Sequence, residues 1–205
     1  MRRIGFLLML ALAAGCGKKT APTAAPEPSV AAFAEDDPER TLAWLAAQRN
    51  ALDAAGDKDS AEKFKALAET MKGRTINWPG EIVQINSDKT YGVTAWTLHT
   101  DPPEPRGEET RERHYVLVCK PLEPGVPLPE NAPFVRRPEV GFPSGAGDWH
   151  NAARPGLPVK LTGTVAAVQL HRNSWVTGYG VKDRVVHTEV GITLHLAGGT
   201  VVPTK

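Results

Sequence analysis

Two segments of the chain repeat one glycine spacing within β-rich sequence, and this repeat most restricts the folds that the chain can adopt. Gly73 and Gly80 open and interrupt the first segment, and Gly156 and Gly163 do the same in the second. Several aliphatic residues follow each inner glycine. A glycine within a strand indicates a bulge or a sharp coil, which lets one long strand serve two parts of a curved sheet. The spacing therefore predicts two long, bent strands in a small barrel.

Five β runs after residue 73 supply the strands of this barrel. They cover Arg74–Ile85, Tyr91–His99, His114–Lys120, Pro158–Leu170 and His187–Leu196, with Thr200–Val202 extending the last. Alternation in the fifth run predicts one buried face and one solvated face that carries Glu189, Thr193 and His195. Long loops are expected at about 99–113 and 121–157. The glycine repeat also permits two tandem β modules, but each half has too few strands to close or to bury a core, which favours one domain.

The order of these runs resembles an OB-fold, since a long connection separates the third run from the fourth. The segment Asn77–Val83 is similar to the Trp-x-Gly-x-Val opening strand of tRNA-anticodon-like OB domains in secreted bacterial proteins. Gly156–Val165 and Gly191–Val202 are similar to the end of those domains. The resemblance implies a mainly β fold with an N-terminal helical segment, in which residues 73–205 form a five-stranded OB-like Greek-key barrel.

A helical hairpin is expected over residues 36–72, before the barrel. Asp37 is placed to cap a helix in which Pro38 occupies the first position. Gly56 ends this helix, and a second helix with apolar residues at helical spacing follows from Ser60 to Lys72. Its apolar side is expected to pack on the β domain, and binding of a partner by this helix is the alternative.

The first sixteen residues resemble the leader of a bacterial lipoprotein. An arginine pair precedes eleven apolar residues, a run too short to cross a membrane, and small residues follow up to Cys16. The resemblance implies a signal peptide at 1–15, lipidation of Cys16 and a flexible tether over 16–35. Gly17 implies sorting to the outer membrane, where the domain faces the periplasm. An ordinary secretory signal with an incidental cysteine is the alternative.

The charge balance restricts the partners of the domain. The chain has 24 Lys and Arg against 23 Asp and Glu, and residues 73–205 carry 14 basic and 13 acidic groups. A surface so close to neutrality gains little from counterion release, which disfavours nucleic acid as a partner. Cys119 has no cysteine partner once Cys16 is lipidated, and it is expected to be a small buried hydrophobe.

The OB resemblance also implies where a ligand would bind. OB barrels bind through their second and third strands and through two loops, one between the first and second strands and one between the fourth and fifth. This implies candidate ligand contacts at Tyr91, Trp96, Tyr115, Arg172, Trp175, Tyr179 and Arg184. Aromatic rings can stack on bases or sugars, and arginines can hold anionic groups. Trp78, by contrast, is expected in the core.

No residue set in the sequence predicts a reaction, a cofactor or a metal site. His187 and His195 share one face of the fifth run but lie about 26 Å apart along an extended strand, too far to hold one ion. Ser144, Asp148 and His150 offer the residue types of a catalytic triad without its spacing. The sequence therefore predicts a non-catalytic, membrane-anchored binding or scaffold module for a protein or glycan partner. A lipoprotein that binds single-stranded nucleic acid and an envelope enzyme are the alternatives.

Overall fold

The structure, a computed structural model, describes most of the chain beyond the leader. The described residues are 33–100, 110–123, 125, 127–128, 133–136, 141–145, 147, 149–178 and 184–204. The leader at 1–15, Cys16, most of the tether and Tyr179 lie outside them.

Two helices precede the sheet, in agreement with the sequence prediction. They are α1 (Pro38–Ala54) and α2 (Ser60–Glu69). The side chain of Asp37 accepts a hydrogen bond of 2.9 Å from the backbone N–H of Arg40, which confirms the predicted cap. Gly56 has a φ of 66°, a conformation open to glycine at low cost, at the end of the first helix. Among the described residues, no helix is both long enough and apolar enough to cross a membrane.

Seven strands form one sheet in the described part of the chain. They are β1 (Thr75–Ile85), β2 (Thr90–Val93), β3 (Trp96–Thr100), β4 (Thr110–Pro121), β5 (Phe142–Pro143), β6 (Pro158–Thr177) and β7 (Val185–Pro203). Their order in the sheet is β3-β4-β7-β6-β1-β2-β5. Neighbours are antiparallel except β4 and β7, which are parallel. The mainly β fold with an N-terminal helical segment is confirmed.

The predicted number of five strands is wrong. The second β run breaks at Thr94 and Ala95, so that it forms β2 and β3, which pair with different neighbours. The short strand β5 adds a seventh element within the long loop that precedes β6. The strand that contains His114 also begins earlier than predicted, at Thr110, because its first residues pair with β7.

The sheet curls into a barrel-like shape because its long strands change partners along their length. Within β1, Thr75–Glu81 pairs with β6, whereas residues from Ile82 onward pair with β2. Ser144, next to β5, forms a parallel bridge with Val201 of β7, so the β5 end of the sheet returns to β7.

Of the two mid-strand glycines, Gly163 lies at an irregularity of the sheet, as the sequence predicted: the register between β6 and β7 shifts between Thr162 and Thr164. Gly80 pairs in regular register with β6, two residues before Ile82, where β1 begins to pair with β2. A β-carbon at Gly163 would lie 3.0 Å from the α-carbon of Gly199, and one at Gly80 would lie 2.6 Å from a methyl group of Val93. Both positions therefore need glycine for close approach of neighbouring strands.

The core lies between the curled sheet and the helices, with α1 against β3 and β4 and α2 against β6. Trp78 is fully buried, packs edge-to-face on Trp96 at 5.4 Å and donates its indole N–H to the carbonyl oxygen of Ala34. Cys119 is buried and free, and burial raises the pKa of its thiol. The predictions for Trp78 and Cys119 are both confirmed.

The predicted solvated face of the fifth run, now part of β7, is largely covered. Glu189, Thr193 and His195 are 6%, 1% and 6% exposed. Residues 133–136 contact this face. A β-carbon at Gly191 would lie 2.7 Å from the ring of Phe134, and Arg136 forms an ion pair with Glu189. The alternating pattern did not predict this burial, because it depends on two other parts of the chain. Residues 133–136 contact Gly191 and Glu189, whereas Thr193 and His195 make hydrogen bonds with His171 and Gln169 of β6.

Candidate functional site

Three of the seven candidate contact residues are part of the core. Tyr91, Trp96 and Tyr115 are 1%, 7% and 0% exposed. Tyr115 points toward α1 and donates its hydroxyl to Asn50 at 2.9 Å, while Tyr91 packs on Trp149 with 4.5 Å between ring centroids. The OB resemblance implied that these rings are exposed, whereas in the structure they are buried in the core. They have no accessible ring face to offer a ligand, which corrects that expectation.

The other described candidates lie on the β6–β7 hairpin. Arg172 and Arg184 are exposed, and Trp175 is 37% exposed. Since Tyr179 is outside the described residues, the structure keeps three candidate contacts at the surface.

A cleft of about 220 Å³ lies between α2 and the strands β4, β6 and β7. Four basic residues line it, together with apolar residues and one acidic residue: Arg49, Lys65, Arg113, Arg172, Phe64, Leu170, Val190 and Glu62. The candidate contact Arg172 therefore belongs to a cleft that the sequence did not predict. The cleft depends on the packing of the helices over the sheet, which no local motif encodes.

The charges of the cleft are only partly neutralised. Asp53 of α1 pairs with Arg113 at 2.8 Å and with Arg49 at 3.1 Å. Within the part of the chain that the structure describes, no carboxylate pairs with Lys65 or Arg172. The four basic side chains thus exceed the two carboxylates, Asp53 and Glu62, by two, and they lie beside apolar side chains. This arrangement suits an anionic group.

A second cluster of functional side chains spans β4 and β7. Glu112 and His114 are two residues apart on β4 and therefore share a face, and the parallel register places Glu112 opposite His187. The Glu112 Oε2 atom lies 3.1 Å from Nδ1 of His187 and 3.6 Å from Nε2 of His114. The two histidine nitrogens lie 3.3 Å apart. These three side chains, the His–Glu cluster, bring potential metal-ligating atoms together.

Neighbouring side chains fix both histidine rings of the cluster. Nδ1 of His114 lies 2.6 Å from Nδ1 of His99 on β3, and Nε2 of His187 lies 2.7 Å from Oγ1 of Thr177 on β6. The indole of Trp175 stacks on both rings, at 5.1 Å from His187 and 5.9 Å from His114. Burial and then the charge of His99 lower the pKa of His114, and Glu112 opposes this shift.

This cluster was not predicted, because its histidines lie on different strands. His187 meets its partners across the parallel pair of β4 and β7, not at His195. The signal that could have found it is the Glu112-x-His114 spacing, which puts a carboxylate and an imidazole on one face of a strand. The long-range register that adds His187 is not visible in the sequence.

The residues considered for a triad are not brought together among the described side chains. Ser144 donates its hydroxyl to the carbonyl of Gly145, and Nδ1 of His150 makes a hydrogen bond with the hydroxyl of Tyr91. Asp148 lies outside the described residues. The described residues therefore contain no Ser–His hydrogen bond that would activate a nucleophile.

No protein-family model matches the chain, and neither a curated protein nor a solved structure matches it.

Proposed function

We propose that the chain is an exported lipoprotein whose β domain is a non-catalytic binding module for a protein or glycan partner. The leader pattern that ends at Cys16 supports anchoring by lipid at the outer membrane, with the domain in the periplasm. Lipid on an N-terminal cysteine holds a domain at a membrane without a spanning helix.

The finer fold proposal is an OB-like Greek-key barrel. It gains support if β2 and β3 are counted as one interrupted strand, since β1, β4, β6 and β7 then complete a set of five long strands. The return of the β5 end to β7 through Ser144 is consistent with closure of such a barrel.

The basic cleft is the observation that carries the binding proposal. Lys65 and Arg172 lie beside the apolar side chains of Phe64 and Leu170. Such a cleft favours a partner group that combines a carboxylate with an apolar body, because the ion pair then forms at a partly dehydrated surface. An acidic side chain of a protein and an acidic sugar of a glycan both meet this requirement.

In-cell photo-crosslinking from position 65 tests this proposal in the full chain. The cross-linked adduct should disappear with Arg172→Glu and persist with Arg154→Glu, a matched change at an exposed arginine outside the cleft. Protease digestion of the adduct identifies a protein partner, and glycosidase digestion identifies a glycan. Absence of an adduct, or an adduct that survives Arg172→Glu unchanged, would refute binding at the cleft.

The anchor is tested separately. Mass spectrometry of the mature amino-terminal peptide should find an acylated Cys16, and Cys16→Ser should release the protein from membranes. An intact, unacylated terminus would contradict the lipoprotein proposal and leave the cleft proposal standing.

Single-stranded nucleic acid is the second candidate, favoured by the exposed Trp175 next to basic positions of the β6–β7 hairpin. Base stacking on an indole, with phosphates held by arginine, is how many such modules bind. Oligonucleotide binding measured at two salt concentrations distinguishes the candidates. Tight binding whose affinity falls steeply at high salt would support nucleic acid over a protein or glycan partner.

A further inference from the structure

The ligand atoms of the His–Glu cluster form a triangle of the size that a tetrahedral metal ion requires. Bonds of about 2.0–2.2 Å from Zn²⁺ to nitrogen and oxygen place neighbouring ligand atoms about 3.3–3.6 Å apart. The three separations between Glu112 Oε2, His114 Nε2 and His187 Nδ1 are 3.1, 3.3 and 3.6 Å. Two of them fall in this range and the third is slightly shorter, so the three atoms lie at distances that allow one ion to contact them all.

We propose that Glu112, His114 and His187 form a binding site for a divalent first-row transition metal, with Zn²⁺ as the best match. Two imidazole nitrogens and one carboxylate oxygen are a ligand set that Zn²⁺ accepts, whereas Mg²⁺ and Ca²⁺ prefer oxygen ligands alone. The site lies on the opposite side of the sheet from the basic cleft and does not depend on what the cleft binds.

The groups around the two histidines support this role. A metal-bound imidazole usually makes a hydrogen bond through its other ring nitrogen, and this fixes both the tautomer and the ring orientation. His114 has His99 at that position and His187 has Thr177. In the tautomers that carry a proton on His114 Nδ1 and His187 Nε2, the two nitrogens that face Glu112 keep their lone pairs for a metal ion.

With those tautomers, two imidazole lone pairs and a carboxylate oxygen lie within 3.6 Å of one another. A divalent cation can take all three atoms as ligands. Trp175 covers both rings on one side and limits their rotation.

Among the described residues, three side chains bring ligand atoms together, so a tetrahedral ion held by them has a fourth position for water or another ligand. The side chain of Glu112 is 43% exposed, while those of His114 and His187 are 14% and 15% exposed.

Metal titration of the full chain in detergent tests the site. The protein is stripped with a chelator and titrated with Co²⁺, whose visible absorption reports tetrahedral coordination, and Zn²⁺ is then used to displace it. We expect about one ion per chain, with affinity lowered at least ~100-fold by His114→Ala or His187→Ala. His99→Ala should weaken binding about 10- to 100-fold through loss of the supporting hydrogen bond.

The matched control is His150→Ala, which removes an imidazole outside the cluster and should leave Co²⁺ binding unchanged. Far-UV circular dichroism checks that each variant is folded; if an alanine variant is not, Glu112→Gln removes a ligand charge at constant volume and should weaken binding more than tenfold. Two results would overturn the proposal. One is the absence of a tetrahedral Co²⁺ spectrum in the unchanged chain, and the other is equal binding by folded variants of the cluster and by His150→Ala.

Discussion

The carboxylate of Asp53 on α1 lies 2.8 Å from the guanidinium of Arg113 on β4, and this ion pair ties the first helix to the sheet. Asp53 also holds Arg49 of its own helix at 3.1 Å. Both arginines line the basic cleft, so one carboxylate positions two of its cations.

Asp53→Asn should lower the free energy of unfolding by about 1–2 kcal/mol, because it leaves two partly buried guanidinium groups without their carboxylate. Urea denaturation followed by tryptophan fluorescence measures the change. Glu69→Gln is the control. The ion pair between Glu69 and Lys72 is exposed, with 3.5 Å between the charged atoms, so this substitution should change the free energy of unfolding by less than about 0.5 kcal/mol. Equal effects of the two substitutions would contradict the role given to Asp53.

Asp37→Ala should destabilise the protein by about 1 kcal/mol, because the backbone N–H of Arg40 loses its acceptor at the start of α1. Thermal unfolding measures this loss. Asp36→Ala removes the neighbouring carboxylate without touching the cap and should have a smaller effect. If the two variants have the same unfolding midpoint temperature, the cap does not stabilise the folded chain.

Gly191→Ala should cost about 1–3 kcal/mol, because its β-carbon would lie 2.7 Å from the ring of Phe134. A double-mutant cycle with Phe134→Ala identifies the cause. Without the ring the three closest contacts of the added methyl group are gone, so the cost of Gly191→Ala should shrink in the Phe134→Ala background. Strict additivity would show that residues 133–136 do not cover β7 in solution.

The domain should lose stability as the pH falls from about 6.5 toward 4, in part because of His195. Burial, followed by the charges of Lys120 and His171, lowers the pKa of His195 from 6.5 to about 4. Between these values the unfolded chain binds a proton that the folded chain rejects, so acidification favours unfolding. Urea midpoints at pH 7.5 and 4.5 measure the loss.

His195→Gln should reduce this acid sensitivity while keeping a hydrogen bond to the side chain of Gln169. Some sensitivity should remain, because burial also lowers the pKa values of His114 and His171. An unchanged difference between the two midpoints in the variant would assign the effect to other groups.

Local features of the fold could be predicted because they depend on neighbouring residues. The cap at Asp37, the helix end at Gly56 and the bend at Gly163 each follow from backbone preferences of one or a few positions. Burial of Trp78 could be predicted from its place in a β run.

Features that depend on distant segments could not be predicted. The burial of Tyr115 depends on α1, where Asn50 accepts a hydrogen bond from its hydroxyl. The burial of His195 depends on the pairing of β7 with β6, where Gln169 makes a hydrogen bond with its imidazole. The meeting of His114 and His187 needs the parallel register of β4 and β7, which is set by packing over the whole sheet. A candidate site built across strands therefore stayed hidden, although the local Glu112-x-His114 spacing was visible.

The position of β7 also affects how the chain matures. Residues 185–203 pair with β4 on one side and β6 on the other, and both partners precede them in the chain. A ribosome therefore releases β4 and β6 before the strand that joins them exists, and the nascent polypeptide keeps open strand edges until translation has passed residue 203. Until β7 is complete, the strand edges that it will cover remain open to non-native pairing, and its insertion between β4 and β6 removes them.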